Sequence, residues 1–114
     1  LGLGRIGAAI ARRLHGFDMA ISYCSRAPKD TPPGWTHVAD AVTLAGQVDY
    51  LVVALSATPD TRHIVNARVL RALGPQGMLI NISRAPNLDE AARLDALEGG
   101  AIASAALDVF EGEP

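Results

Sequence analysis

Three short stretches carry residue types whose spacing could do chemistry. The first, "GLGRIG" at 2–7, sets Gly2, Gly4 and Gly7 in a G-x-G-x-x-G pattern. Such a turn lets a strand reverse tightly into a helix, brings backbone N–H groups into the open, and leaves room for a pyrophosphate. The N–H groups of Arg5, Ile6 and Gly7 then open the next helix, whose positive end favours an anion. The second stretch, "YCSRAPK" at 23–29, sits where a dinucleotide-binding chain reads the adenosine ribose. Arg26 lies 24 residues after Gly2, about the spacing expected of the ribose reader. A carboxylate there accepts from a 2′-hydroxyl and repels a 2′-phosphate; a guanidinium does the opposite. Asp18 is the only acidic residue between Gly7 and Arg26, and it falls before the strand. Arg26, with the Ser25 hydroxyl and the Lys29 charge, therefore reads as a selector for NADP(H), with NAD(H) the weaker alternative. The third stretch, "SRAP" at 83–86, puts Arg84 in the loop that ends an apolar strand.

These loops need elements to position them. Residues 5–15 read as a helix with Ile6, Ile10, Leu14 and then Phe17 on one buried face. "MAISYC" (19–24) reads as a strand, "WTHV" as a brief one, and "ADAVTLAG" as a short helix. "DYLVVAL" (49–55) reads as a strand buried on both faces. "NARVLRAL" reads as a helix stopped by Gly74 and Pro75, and "GMLINIS" (77–83) as the next strand, followed by a loop at "RAPN". "LDEAARLDALEGG" reads as an amphipathic helix with Leu88, Ala91, Leu94 and Leu97 on one stripe, and "AIASAALDV" (101–109) as the last strand. Alternating strands and helices predict a Rossmann-type, doubly wound parallel α/β sheet, with ligands bound beyond the carboxyl ends of the strands. Only Leu1 precedes the glycine turn, so residues 1–114 read as a dinucleotide-binding domain fragment with its first strand truncated.

Composition narrows the setting. The 114 residues carry a net charge of −2 and are 49% hydrophobic. That suits one soluble core and argues against a nucleic-acid surface, which needs excess Lys and Arg. Cys24 is the single cysteine, which excludes an internal disulfide and fits a cytoplasmic protein. No apolar run approaches a membrane span, and no His/Cys spacing suggests a metal.

"GLGRIGAAIARRL", "LSATPDTR", "LINISRAP" and "AALDVFEGEP", in that order, resemble the nucleotide-binding domain of the D-isomer-specific 2-hydroxyacid dehydrogenases. The resemblance spans the whole chain. It implies an oxidoreductase acting on a small 2-keto or 2-hydroxy acid, and with "SR" at 25–26 it points to the NADPH-dependent glyoxylate/hydroxypyruvate reductases. An NAD-using relative such as a phosphoglycerate dehydrogenase, and a non-catalytic, dinucleotide-sensing corepressor, are the alternatives. Arg84 matches the family's catalytic arginine. Glu113 matches the glutamate that pairs with the acid–base histidine and raises its pKa, although Glu111 competes on chemistry alone. Asp108 matches the residue that holds the nicotinamide carboxamide. Ser56, Pro59 and Thr61 match the loop over the cofactor, and Ile82 offers backbone to the nicotinamide. The histidine and the flanking substrate-binding domain are expected outside residues 1–114, and the full-length protein is expected to be a homodimer. His15, His37 and His63 read as structural. One departure stands out: the family usually has Gly after the arginine, and this chain has Ala85 and Pro86, which constrains the Arg84 backbone.

Overall fold

In the computed structural model the described residues are 1–25, 27–55 and 58–107. Helix α1 (Arg5–His15) leads into strand β1 (Ser22–Cys24), followed by β2 (Thr36–Val38), α2 (Ala41–Ala45), β3 (Tyr50–Val53), α3 (Ala67–Leu73), β4 (Met78–Asn81), α4 (Glu90–Glu98) and β5 (Ser104–Leu107). All strand pairs are parallel: β1 with β2, and β3 with β4 and β4 with β5.

Leu1 and Gly2 join these two sheets. The Leu1 amine donates to the Val52 carbonyl at 2.8 Å. The Ala54 N–H donates to the Leu1 carbonyl at 2.9 Å, and the Gly2 N–H donates to the Cys24 carbonyl at 3.0 Å. Two residues thus occupy the central place in the sheet, giving the order β2, β1, Leu1 with Gly2, β3, β4, β5. This is the doubly wound order that the sequence predicts. Upstream of them β1 and β3 flank a cavity of about 320 Å³ whose lining includes Ile10, Leu14, Leu44 and Val48.

Local chemistry sets the element ends. Asp40 caps α2 by accepting from the Thr43 N–H at 2.8 Å. Asn66 caps α3 through Val69 and Asp89 caps α4 through Ala92, each at 3.2 Å. Gly74 closes α3 at φ 91°, a conformation that costs other residues dearly. The core is aliphatic, centred on Leu44, Leu51, Val53, Val65, Leu70, Leu79 and Leu88.

Three readings from the hydrophobic pattern need correction. Ile6 and Phe17 are 63% and 79% exposed, and the buried positions of α1 are Gly7 and Ala11. Close approach of the helix to the glycine turn requires small residues, and that requirement outweighs the pull of the larger apolar ones. On α4 the buried residue is Ala96, while Leu94 is 47% exposed and Ala91 is exposed. Of the expected stripe, Leu88 and Leu97 do pack on the core, whereas Ala91 and Leu94 do not. Strand β3 is not buried on both sides: Tyr50 is 49% exposed and Val52 half-buried, and both line the cavity beside Leu1. The "RAPN" loop contains a 3-10 turn, Ala85–Asn87. The strands are also shorter than the apolar runs suggest.

Candidate active site

The glycine turn is built as the spacing requires. Gly2 has φ 89°, and a Cβ there would stand 2.9 Å from Leu55 Cδ2. A Cβ on Gly7 would overlap the Gly2 carbonyl oxygen, so helix and turn meet backbone to backbone. Gly4 is different: a Cβ there would meet nothing within 4 Å. Gly4 is also the N-cap of α1 and supplies no side-chain cap, and the first turn holds no acidic residue. The N–H groups of Arg5, Ile6 and Gly7 begin the helix beside this open space, and Arg5 and Ile6 are exposed. An open concavity, uncapped donors and the helix dipole together fit the anionic pyrophosphate of a dinucleotide.

The loop expected to read the ribose leaves β1 beside this turn, since the Gly2 N–H donates to the Cys24 carbonyl. Ser25 Oγ donates to the Ala27 carbonyl at 2.6 Å, and His37 Nε2 lies 3.0 Å from the Ser25 carbonyl oxygen. Tyr23 Oη accepts from the Lys29 N–H at 2.9 Å, and the ring packs edge-on to His37 with centroids 5.3 Å apart. The loop is therefore held at both ends, with Lys29 exposed. Burial pushes the Cys24 thiol above its ordinary pKa, in keeping with a packing role.

Arg84 stands exposed just past β4, at the same carboxyl edge of the sheet. Ile82 is half-buried, its N–H donating to the Val53 carbonyl at 3.2 Å. Pro59 and Thr61 bound a 3-10 turn after β3. The turn is closed reciprocally with Thr58, whose N–H donates to Thr61 Oγ1 at 2.9 Å. Gly2, Gly4, Ser25, Lys29, Pro59, Thr61, Ile82 and Arg84 thus all lie on loops at the carboxyl ends of parallel strands.

Comparison with known proteins decides which family uses this arrangement. The NAD binding domain of the D-isomer specific 2-hydroxyacid dehydrogenases matches residues 1–114. The chain belongs to that family. Among its relatives, the hydroxyphenylpyruvate reductase of Plectranthus scutellarioides is 50% identical over 114 residues, which are 100% of this chain and 36% of that protein. A 2-hydroxyacid dehydrogenase from Ketogulonicigenium vulgare superposes with a TM-score of 0.93 at 65% identity, over 99% of this chain and 36% of that one. An NADPH-dependent glyoxylate/hydroxypyruvate reductase from Sinorhizobium meliloti, in complex with NADP and malonate, gives 0.96 at 51% identity, over 100% and 35%. The chain therefore spans about a third of the length of these relatives.

Within this dehydrogenase domain, Arg26, Ser56, Asp108, Glu111 and Glu113 lie outside the described residues. The three histidines are each tied to local structure. His15 packs near Trp35, with ring centroids 6.2 Å apart. His37 joins the Tyr23 loop, and His63, at φ 50°, donates its N–H to the Pro86 carbonyl at 2.8 Å. Among the described residues no three His, Cys, Asp or Glu side chains come together as a metal site, and no helix is long and apolar enough to cross a membrane.

Sequence reasoning missed three side chains that shape the site. Tyr23 pins the backbone of Lys29. Asn81 and Asn87, 1% and 0% exposed, are the buried polar residues beneath the Arg84 turn. The available signal was chemical: a polar residue at the end of an apolar strand, and an amide just past the arginine, both in line for burial.

Proposed function

We propose that this domain binds NADP(H), with NAD(H) the weaker alternative. The whole protein reduces a small, glyoxylate- or hydroxypyruvate-like 2-keto acid to the D-2-hydroxy acid. The observation that carries this reading is the convergence of two features at one sheet edge. These are an open, uncapped glycine turn at the start of α1 and an exposed Arg84 at the end of β4. The nearby NADP complex of a reductase at 51% identity supports it.

When bound, the dinucleotide supplies the hydride. The chain's own residues do the rest. The N–H groups of residues 5–7 hold the pyrophosphate, while Ser25, Arg26 and Lys29 take the 2′-phosphate through charge-assisted hydrogen bonds. Ser56, Pro59 and Thr61 cover the dinucleotide, and Ile82 and Asp108 orient its reacting ring. Arg84 pairs with the substrate carboxylate and polarises the adjacent carbonyl, as a planar fork of donors can. Glu113 holds a histidine from elsewhere in the protein in its protonated state, so that a proton is ready for the developing alkoxide. Residues 1–114 act here as the cofactor domain of a larger cytoplasmic homodimer whose substrate-binding domain lies outside them.

Replacing Arg84 by Ala in the full-length enzyme tests the assignment. Keto-acid turnover should fall by about 100-fold or more, while NADPH affinity measured by fluorescence titration stays within about threefold. Unchanged turnover would refute the role of Arg84.

A further inference from the structure

The turn that carries Arg84 is held from beneath by a side chain that no motif singles out. Asn87 is fully buried. Its Nδ2 donates to the Leu55 carbonyl at 3.2 Å and to Ser83 Oγ at 3.1 Å. Its Oδ1 accepts from Thr61 Oγ1 at 2.8 Å. Leu55 and Thr61 belong to the loop after β3, whereas Ser83 precedes Arg84 after β4. One carboxamide therefore joins the loop assigned to the cofactor and the turn assigned to the substrate. It can do so because an amide offers two donors and an acceptor in one plane.

The bond directions are consistent along the network. Ser83 Oγ gives its proton to Asn81 Oδ1 at 2.7 Å, leaving a lone pair for Asn87. The Asn87 N–H donates to the Arg84 carbonyl at 3.1 Å and so closes the turn around Ala85 and Pro86. The strap continues outward: His63 donates to Pro86, and the Val65 N–H donates to the Asn87 carbonyl at 3.0 Å. Helix capping does not need Asn87, since Asp89 caps α4. Simple filling of the space does not need it either, because Leu has similar bulk without the desolvation cost of an amide. What an apolar residue could not do is fix the two loops at hydrogen-bonding distance.

We infer that Asn87 is a positioning residue: it sets the Arg84 turn against the 58–61 loop and so fixes the approach of the guanidinium to the keto acid. The same contacts account for the tolerance of Ala85 and Pro86 where the family usually has Gly, since the turn is fixed from its far end. The inference rests on the proposed role of Arg84.

The test is a double-mutant cycle in the full-length enzyme, comparing Asn87→Leu in the parent and in an Arg84→Lys background. A misplacement of about 1 Å can cost roughly 100-fold in rate. Asn87→Leu is therefore expected to lower kcat/KM for glyoxylate by about tenfold or more. The NADPH dissociation constant should change by less than kcat/KM does, because of the cofactor contacts only the 58–61 loop touches the network and the glycine turn lies outside it. A Lys ammonium is a compact charge without a fork, so its placement matters less, and the Asn87→Leu penalty should shrink to about threefold or less there. An equal penalty in both backgrounds would mean general damage and would overturn the inference. So would a parent-like kcat/KM for folded Asn87→Leu. Where Asn87→Leu gives no folded protein, Ser83→Ala takes its place, with a loss of about threefold that again depends on Arg84; a parent-like kcat/KM for it overturns the inference. If Arg84→Lys itself keeps parent turnover, the role of Arg84 fails and the inference with it. An Arg84-dependent enzyme that is indifferent to Asn87 refutes the inference alone.

Discussion

At the scale of single residues, the site depends on what is left out as much as on what is present. Gly4 leaves an open space where a phosphate can approach, and Gly7 leaves the volume that the Gly2 carbonyl fills. Gly7→Ala would force these backbones apart. Overpacking of this kind costs about 1–3 kcal/mol. Thermal melting of the full-length enzyme should show the loss, and NADPH affinity should fall with it because the N–H groups of the first turn move. An unchanged melting temperature and affinity would mean that the turn is looser than its geometry indicates. Asp18 makes the converse point: it takes φ 62°, as Asp can more readily than most residues.

At the scale of elements, short helices depend on their caps. Asp40 accepts from both the Thr43 N–H and the Thr43 hydroxyl, and these bonds hold its carboxyl below the ordinary range. A lowered folded-state pKa stabilises the fold above the unfolded pKa of 3.8, and the contribution is lost as pH falls through the folded value. Asp40→Ala should therefore lower the melting temperature at neutral pH, and the gap to the parent should close as pH drops below 3.8. A gap that stays constant with pH would show that the carboxylate is not the cause. Element order, strand direction and the carboxyl-edge placement of the loops were all legible in the sequence, because glycine spacing, caps and apolar runs are local signals. The buried face of α1 was not, and that of α4 only in part. Gly7, Ala11 and Ala96 won those faces by being small enough for close approach, a tertiary demand that hydrophobic periodicity does not encode. In the site, the glycine turn was legible by type and spacing, and Arg84 was singled out only by the match of its motif to the family. The amide network of Asn81 and Asn87 was not, because its partners come together only when two loops far apart in sequence meet.

At the scale of the whole molecule, two residues bridge what would otherwise be two sheets. The neighbouring cavity is flanked by β1 and β3. Alternation along a parallel ladder turns the backbone groups of Ser22, Tyr50 and Val52 toward it. A polypeptide of residues 1–114 should thus gain from a five-residue extension rich in Val and Ile placed before Leu1. Such an extension would pair with both strands. Its melting temperature should rise by at least about 5 °C; no rise would show that the cavity does not accept a strand.

The central claim concerns the 2′-phosphate of the adenosine ribose. Titration of the full-length enzyme with NADPH and with NADH, for the parent and for Arg26→Asp, tests it most directly. NADPH should bind the parent more tightly, and Arg26→Asp should erase or reverse that preference. Equal or tighter binding of NADH by the parent would contradict the account.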